Sequence, residues 1–232
     1  MQSISGTGAL RVGFEFLSKH YPNDVYIPNP TWINHFTIVR EAGLIPKEYS
    51  YFDPQTKGIA YEELTKCLSL ARPHSIVILH ACAHNPTGID PTEEQWRGIA
   101  KIMKERSLLP FFDNAYQGYA SGDLEKDVRS INIFVEEGIQ FIVAQSFAKN
   151  FGLYGERVGA LHIVCTDKDV RDRVLSQVKL NIRPMYSNPP LHGARIVARI
   201  LGNPEYTAQW KVFLLEFFKF LNIFRMSSKK SQ

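Results

Sequence analysis

At 232 residues the chain can hold one large domain, or one domain and part of a second. Hydrophobic residues make up 44% and charged residues 22%, the balance of an ordinary soluble globular chain, and the net charge of +4 is scattered rather than striped, which argues against a nucleic-acid partner. Three cysteines (Cys67, Cys82 and Cys165) lie far apart with no CxxC pair, which points to free thiols and away from a metal site.

In chain order, Ser5-Gly6-Thr7-Gly8 stands directly before an amphipathic pattern over 9–20. No signal-peptide pattern precedes it, and because such a turn normally follows a strand, the chain is expected to begin inside a domain. Strands are expected over 25–27, 47–52, 76–79, 108–112, 141–144 and 158–164. Helices are expected between them over 32–42, 61–70, 92–106 and 128–137; Pro91-Thr92-Glu93-Glu94 is a clear helix start. This alternation predicts an α/β fold with a mostly parallel mixed sheet covered by helices on both faces. A charged helix over 167–180, a Pro-rich irregular stretch over 181–190 and a helix over 191–201 follow. In WKVFLLEFFKFLNIF, which opens at Trp210, 11 of 15 residues are apolar and they occupy every face of a helix. The segment is too short and too charged for a membrane span, and such a helix must be buried in something.

Three consecutive strands end in chemistry-bearing residues. After 76–79 comes His80-Ala81-Cys82-Ala83-His84-Asn85-Pro86-Thr87-Gly88, whose histidine and cysteine spacing fits no metal motif and whose Asn85 is a side-chain donor at a turn. Asp113 closes the apolar strand 108–112, with Tyr116 three residues on; a carboxylate there needs a cation or donors, unless it only caps the next turn. Lys149 follows 141–144 and Ser146, with Arg157 beyond it. A lysine past the end of a buried strand sits where open α/β sheets keep their chemistry, and partial desolvation makes its amine nucleophilic, although a plain surface lysine has the same local pattern. Ser5, Gly6 and Thr7 can cradle an anion at a helix start or simply cap that helix.

One ligand satisfies the set: a phosphorylated aldehyde with a basic ring nitrogen. Lys149 would form a Schiff base with it, Asp113 would hold its ring nitrogen protonated, and Ser5, Gly6, Thr7, Ser146 and Arg157 would take the phosphate.

At these residues the chain resembles the aspartate aminotransferases, fold-type I enzymes that use pyridoxal 5'-phosphate. The resemblance runs from Gln2 to about Trp210 through SGTGALR, PTWINH, HACAHNPTGIDPT, FFDNAYQGYASG, QSFAKNFGLYGERVGA and RPMYSNPP. It implies the conversion of L-aspartate and 2-oxoglutarate to oxaloacetate and L-glutamate, with Lys149 as catalytic base. It further implies that Asp113 pairs with the pyridinium nitrogen with His35 behind it, that Tyr116 and Asn85 bind the ring hydroxyl oxygen, and that Trp32 stacks on the ring. Trp32, Asn85 and Arg183 become substrate-binding residues for dicarboxylic amino and keto acids. In a homodimer, Arg183 and Ser187 would cross to the neighbouring site. By local pattern alone, Trp32 reads as a core aromatic and Arg183 as a helix-end cation. Against the family pattern, residues 1–210 are expected to be the large cofactor-binding domain and 211–232 a divergent apolar tail, exposed and prone to aggregate. An N-terminal arm and the small-domain arginine for the substrate α-carboxylate are expected to be missing. The alternative reading is therefore a truncated cofactor-binding fragment of little turnover, acting as a dimerisation partner. The SGTGALRVGFEFLSKHYP opening and RPMYSNPP look closer to organellar members, which leans towards mitochondria over the cytoplasm.

Overall fold

Strand and helix alternate through most of the chain in a computed structural model that describes residues 1–229, with side chains described to residue 223. The first third runs β1 (Gln2–Ile4), α1 (Ser5–His20), β2 (Val25–Asn29), α2 (Asn34–Glu41), β3 (Pro46–Ser50), β4 (Phe52–Asp53), β5 (Gly58–Ile59) and α3 (Tyr61–Leu70). The middle runs β6 (Ile76–His80), α4 (Glu93–Glu105), β7 (Leu109–Asn114), α5 (Leu124–Asp127), α6 (Arg129–Glu136), β8 (Ile142–Ser146) and β9 (Val158–Ile163). Three helices close the chain: α7 (Lys168–Met185), α8 (His192–Leu201) and α9 (Pro204–Lys229).

Seven strands form one sheet in the order β1-β9-β8-β7-β6-β2-β3, parallel from β8 to β3 and antiparallel at the β1 and β9 edge. The fold is the α/β arrangement that the alternation implies. Side chains one residue apart on a strand go to opposite faces. Val77, Leu79, Phe112 and Val143 therefore pack under α3, α4 and α6 through Leu64, Trp96, Met103 and Phe134. Ile76, Ile78, Phe111 and Ile142 pack under α1, α2 and α7 through Phe14, Leu17, Val39 and Ile182. The central strands are apolar up to their carboxyl ends because both faces are covered. Thr92 caps α4 with a reciprocal bond to Gln95, so the start read from the sequence holds.

The structure departs from the expected elements in several places. The anion turn at Ser5 is preceded by a strand, β1, which pairs Ser3 with Gly159; three residues are too few to show a strand period in sequence. Helix α1 begins at Ser5 rather than residue 9, so the expected turn is the helix's own first turn. Trp32 lies ahead of α2, not in it. Helix α7 continues into the Pro-rich stretch as far as Met185, because Ile182 buries itself in the core; Pro184 removes one N–H donor and the helix ends at the next residue.

Most described residues of the tail are exposed, but one is seated in the core. Helix α9 crosses residue 210 without a break, and Leu214 is 1% exposed. Its side chain seats on Gly118, whose φ of +93° and 2.7 Å gap between an added Cβ and Leu214 Cδ1 leave room for glycine alone. Val212, Phe213 and Leu215 on other faces remain exposed. Among the described residues no helix is long and apolar enough to cross a membrane. Leu214→Ala should cost roughly 2–5 kcal/mol in denaturant unfolding by leaving a cavity, whereas Val212→Ser should change stability by less than about 0.5 kcal/mol. Equal effects from the two would mean that the inner face of α9 is not packed as described.

Candidate functional site

Parallel register brings the strand ends together. His80 pairs with Asp113, Asp113 with Ala144, and across the antiparallel step Ser146 pairs with Gly159. The loops leaving β6, β7 and β8 consequently open on one edge, the crevice at strand carboxyl ends where open α/β sheets bind ligands. A cavity of about 310 Å³ lies there. Ser5, Gly6, Thr7, Trp32, Asn85, Asp113, Tyr116, Ser146, Lys149 and Arg157 all line it.

One end of the cavity collects anion donors. Ser5 sits at φ +58°, giving its N–H to the Arg157 carbonyl at 3.2 Å, and its Oγ lies 3.0 Å from Ser146 Oγ. Ile4 provides no side-chain cap for α1 and no acidic residue occupies the first turn, so the N–H groups and positive end of that helix face the cavity unopposed. A Cβ at Gly159 would stand 2.4 Å from the Ser5 carbonyl carbon, so only glycine lets β9 approach this turn. Arg157 adds the guanidinium.

The other end holds a carboxylate. Asp113 is 8% exposed, and its Oδ2 is 3.0 Å from Nε2 of the fully buried His35. The chain of contacts continues inward: His35 Nδ1 lies 2.8 Å from Thr31 Oγ1, which is 3.0 Å from His80 Nε2, while His80 Nδ1 accepts the Asn85 N–H at 3.3 Å. The His84 ring lies 4.2 Å from that of His80 and stacks on Tyr51 at 3.7 Å. Trp32 meets His35 edge-on at 5.4 Å.

Lys149 lines the same cavity, with Nζ 5.0 Å from the centre of the Tyr116 ring. Burial lowers its pKa, Asp113 works against that, and Arg157 adds to the lowering. A half-buried amine with a depressed pKa is the form that attacks carbonyls and accepts protons. Burial raises the Tyr116 phenol, with Tyr154 and Asp113 reinforcing it.

A half-buried lysine of lowered pKa shares one cavity with anion donors and a buried carboxylate, and the comparison with known proteins supplies the family. Residues 1–220 match the family described as aminotransferase class I and II. The chain belongs to that family. It is similar to the cytoplasmic aspartate aminotransferase of rice (Oryza sativa subsp. japonica), at 55% identity over 92% of this chain and 53% of the relative. The mitochondrial aspartate aminotransferase of Trypanosoma brucei superposes with a TM-score of 0.90 at 46% identity, covering 93% of this chain and 57% of that structure. An aromatic-amino-acid aminotransferase from Burkholderia pseudomallei, covalently bound to pyridoxal phosphate, gives a TM-score of 0.92 at 42% identity over 94% and 55%. The chain thus spans about half the length of the relatives it matches.

Within this aminotransferase-family chain, Arg183 and Ser187 do not line the cavity. Both are exposed near the end of α7, with Arg183 Nη1 donating to Ser187 Oγ at 2.5 Å. Several residues around the site escaped sequence reasoning. Thr31 and His80 join His35 to the strand ends, Tyr154 lines the cavity, and Tyr119 donates its hydroxyl to the Lys149 carbonyl at 2.7 Å. Only the position of His80 at a strand end, and of Thr31 beside Trp32, offered a signal.

Burial keeps His80 well below its usual pKa, and burial with His35 nearby brings His84 down to about 3. Folded protein keeps both rings neutral, while the unfolded chain protonates them near pH 6.5. Stability is then intact above about pH 6.5 and declines as pH falls from there towards 3, at up to about 1.4 kcal/mol per pH unit for each ring. Urea midpoints at pH 7.5 and 5 should show the decline, with a shallower slope in His84→Gln. A midpoint independent of pH in that window would remove this account of the histidines.

Proposed function

We propose that this chain binds pyridoxal 5'-phosphate in the 310 Å³ cavity and serves the transamination of L-aspartate and 2-oxoglutarate to oxaloacetate and L-glutamate. The observation that carries the reading is that one cavity gathers anion donors at Ser5, Ser146 and Arg157, the half-buried amine of Lys149 and the buried Asp113 carboxylate. The donor set fits the cofactor's three polar groups, a phosphate, an aldehyde and a basic ring nitrogen. Phosphate would be held by the N–H groups of Gly6 and Thr7, the hydroxyls of Ser5, Thr7 and Ser146, and Arg157. Tyr116 and Asn85 would donate to the ring hydroxyl oxygen, and Trp32 would cover the ring face.

When bound, pyridoxal phosphate supplies an electron-withdrawing ring that stabilises negative charge at the substrate Cα. The rest falls to the chain's own residues. The Asp113 carboxylate, oriented by His35, would favour the protonated form of the ring nitrogen by its charge. Lys149 Nζ, half-buried with a lowered pKa, would take the proton from the substrate Cα and hold it as the ammonium. We further propose a homodimer in which Arg183 and Ser187 reach the neighbouring cavity, Arg183 gripping the distal carboxylate of a dicarboxylic substrate with two N–H donors. Both are exposed and neither lines this chain's own cavity, which supports that assignment. The organellar likeness of the SGTGALRVGFEFLSKHYP opening supports mitochondria as the compartment.

Titrating the protein with pyridoxal phosphate should produce a visible absorption band that Lys149→Ala abolishes, with Asp113→Ala weakening binding at least about tenfold. No band in the wild type would defeat the cofactor reading. In coupled assays Arg183→Leu should lower kcat/KM for aspartate by about 100-fold or more while sparing uncharged amino acids. An equal loss on both substrate types would refute the role given to Arg183.

A further inference from the structure

The two loops that carry the reactive groups, 115–123 with Tyr116 and 147–157 with Lys149, have no regular structure of their own. What holds them lies outside the cavity. The Lys149 carbonyl accepts the Gly152 N–H at 2.9 Å and the Tyr119 hydroxyl at 2.7 Å. The next carbonyl, on the 2% exposed Asn150, accepts Trp210 Nε1 at 2.8 Å, and Asn150 Nδ2 donates to the Gln117 carbonyl at 3.1 Å. The Trp210 indole stacks on Phe151 with centroids 4.2 Å apart and planes 19° off parallel, and Phe217 packs on Tyr119 at 4.9 Å. Trp210, Leu214 and Phe217 are spaced four and three residues apart, one face of α9, with Leu214 seated on Gly118 between the loops.

We propose that this face of α9 is a positioning element for Lys149, in which Trp210 and Tyr119 fix consecutive peptide carbonyls and so aim the amine over Tyr116 towards Asp113. None of the clasp residues touches the reacting groups; they act through the lysine's backbone. Each donor also satisfies a carbonyl in a confined loop, so its loss leaves an acceptor without its partner and frees the segment to move. For its effect on cofactor, the proposal rests on the pyridoxal phosphate reading; for its effect on the amine, it does not.

Trp210→Phe and Tyr119→Phe keep the rings and remove only the donors, so folding should survive. In protein free of cofactor, the pH dependence of Lys149 labelling by trinitrobenzenesulfonate, followed by peptide mapping, reads the amine directly. Absorbance titration with pyridoxal phosphate reads the aim. The double variant should move the labelling midpoint upward, towards an ordinary lysine, as water reaches Nζ while Asp113, Arg157 and Tyr116 stay in place. Each single variant should weaken pyridoxal phosphate binding about threefold to tenfold, the effect of one hydrogen bond. Val212→Ser, on an exposed face of the same helix, should change neither reading. An unmoved midpoint in the double variant, or an equal shift in Val212→Ser, overturns the clasp. If wild-type protein takes no pyridoxal phosphate, the cofactor reading falls alone and the labelling result still decides the clasp.

Discussion

A carboxylate withdrawn from water at the end of a central strand is the constraint around which this molecule is arranged. Asp113 would be costly at 8% exposure without partners, and the sheet provides them from strands and loops distant in sequence. Register with His80 on β6 and the placement of His35 at the start of α2 allow Thr31 to join the two imidazoles. Each group in that row has little freedom to turn without breaking a bond to the next. The outcome is a carboxylate of fixed direction facing a cavity, which suits holding a positive charge on a ligand better than moving a proton.

Charge composition then narrows the chemistry the cavity suits. Arginine, lysine and aspartate all line a space of about 310 Å³, which suits a ligand that carries both a negative and a positive or protonated group. Lys149 lies in the opposing fields of Asp113 and Arg157, and burial decides the direction of its shift. A lysine in bulk water at a strand end would keep its ordinary pKa; half-burial beside Tyr116 lowers that of Lys149.

Much of this was legible in the sequence because the chemistry sits at strand ends, and strand ends are marked by abrupt changes in polarity. Asp113 after Phe111-Phe112, and Ser146 after an apolar run, announce themselves in this way. The main strands and the site-facing helices follow from the same contrast. What stayed hidden depends on pairing between distant segments. β1 is three residues long and is defined only by its partner β9. Thr31 and His80 acquire meaning only when β2 and β6 lie side by side. The face of α9 that carries Trp210 and Leu214 could not be told from its other faces, because apolar residues surround the helix and only the tertiary contact distinguishes them.

The anion cradle has a consequence for how the chain acquires its site. Ser5 and Ser146 face each other across 141 residues of sequence, and the turn that carries Ser5 is held in place through β1 lying on β9. Closing so long a loop is entropically costly and yields nothing until the later strands are in the sheet. The Ser5 turn is therefore complete only when segments far apart in sequence have come together in the sheet. An anion bound there would favour that closed arrangement by mass action. A ligand at this turn would thus stabilise the edge of the sheet as well.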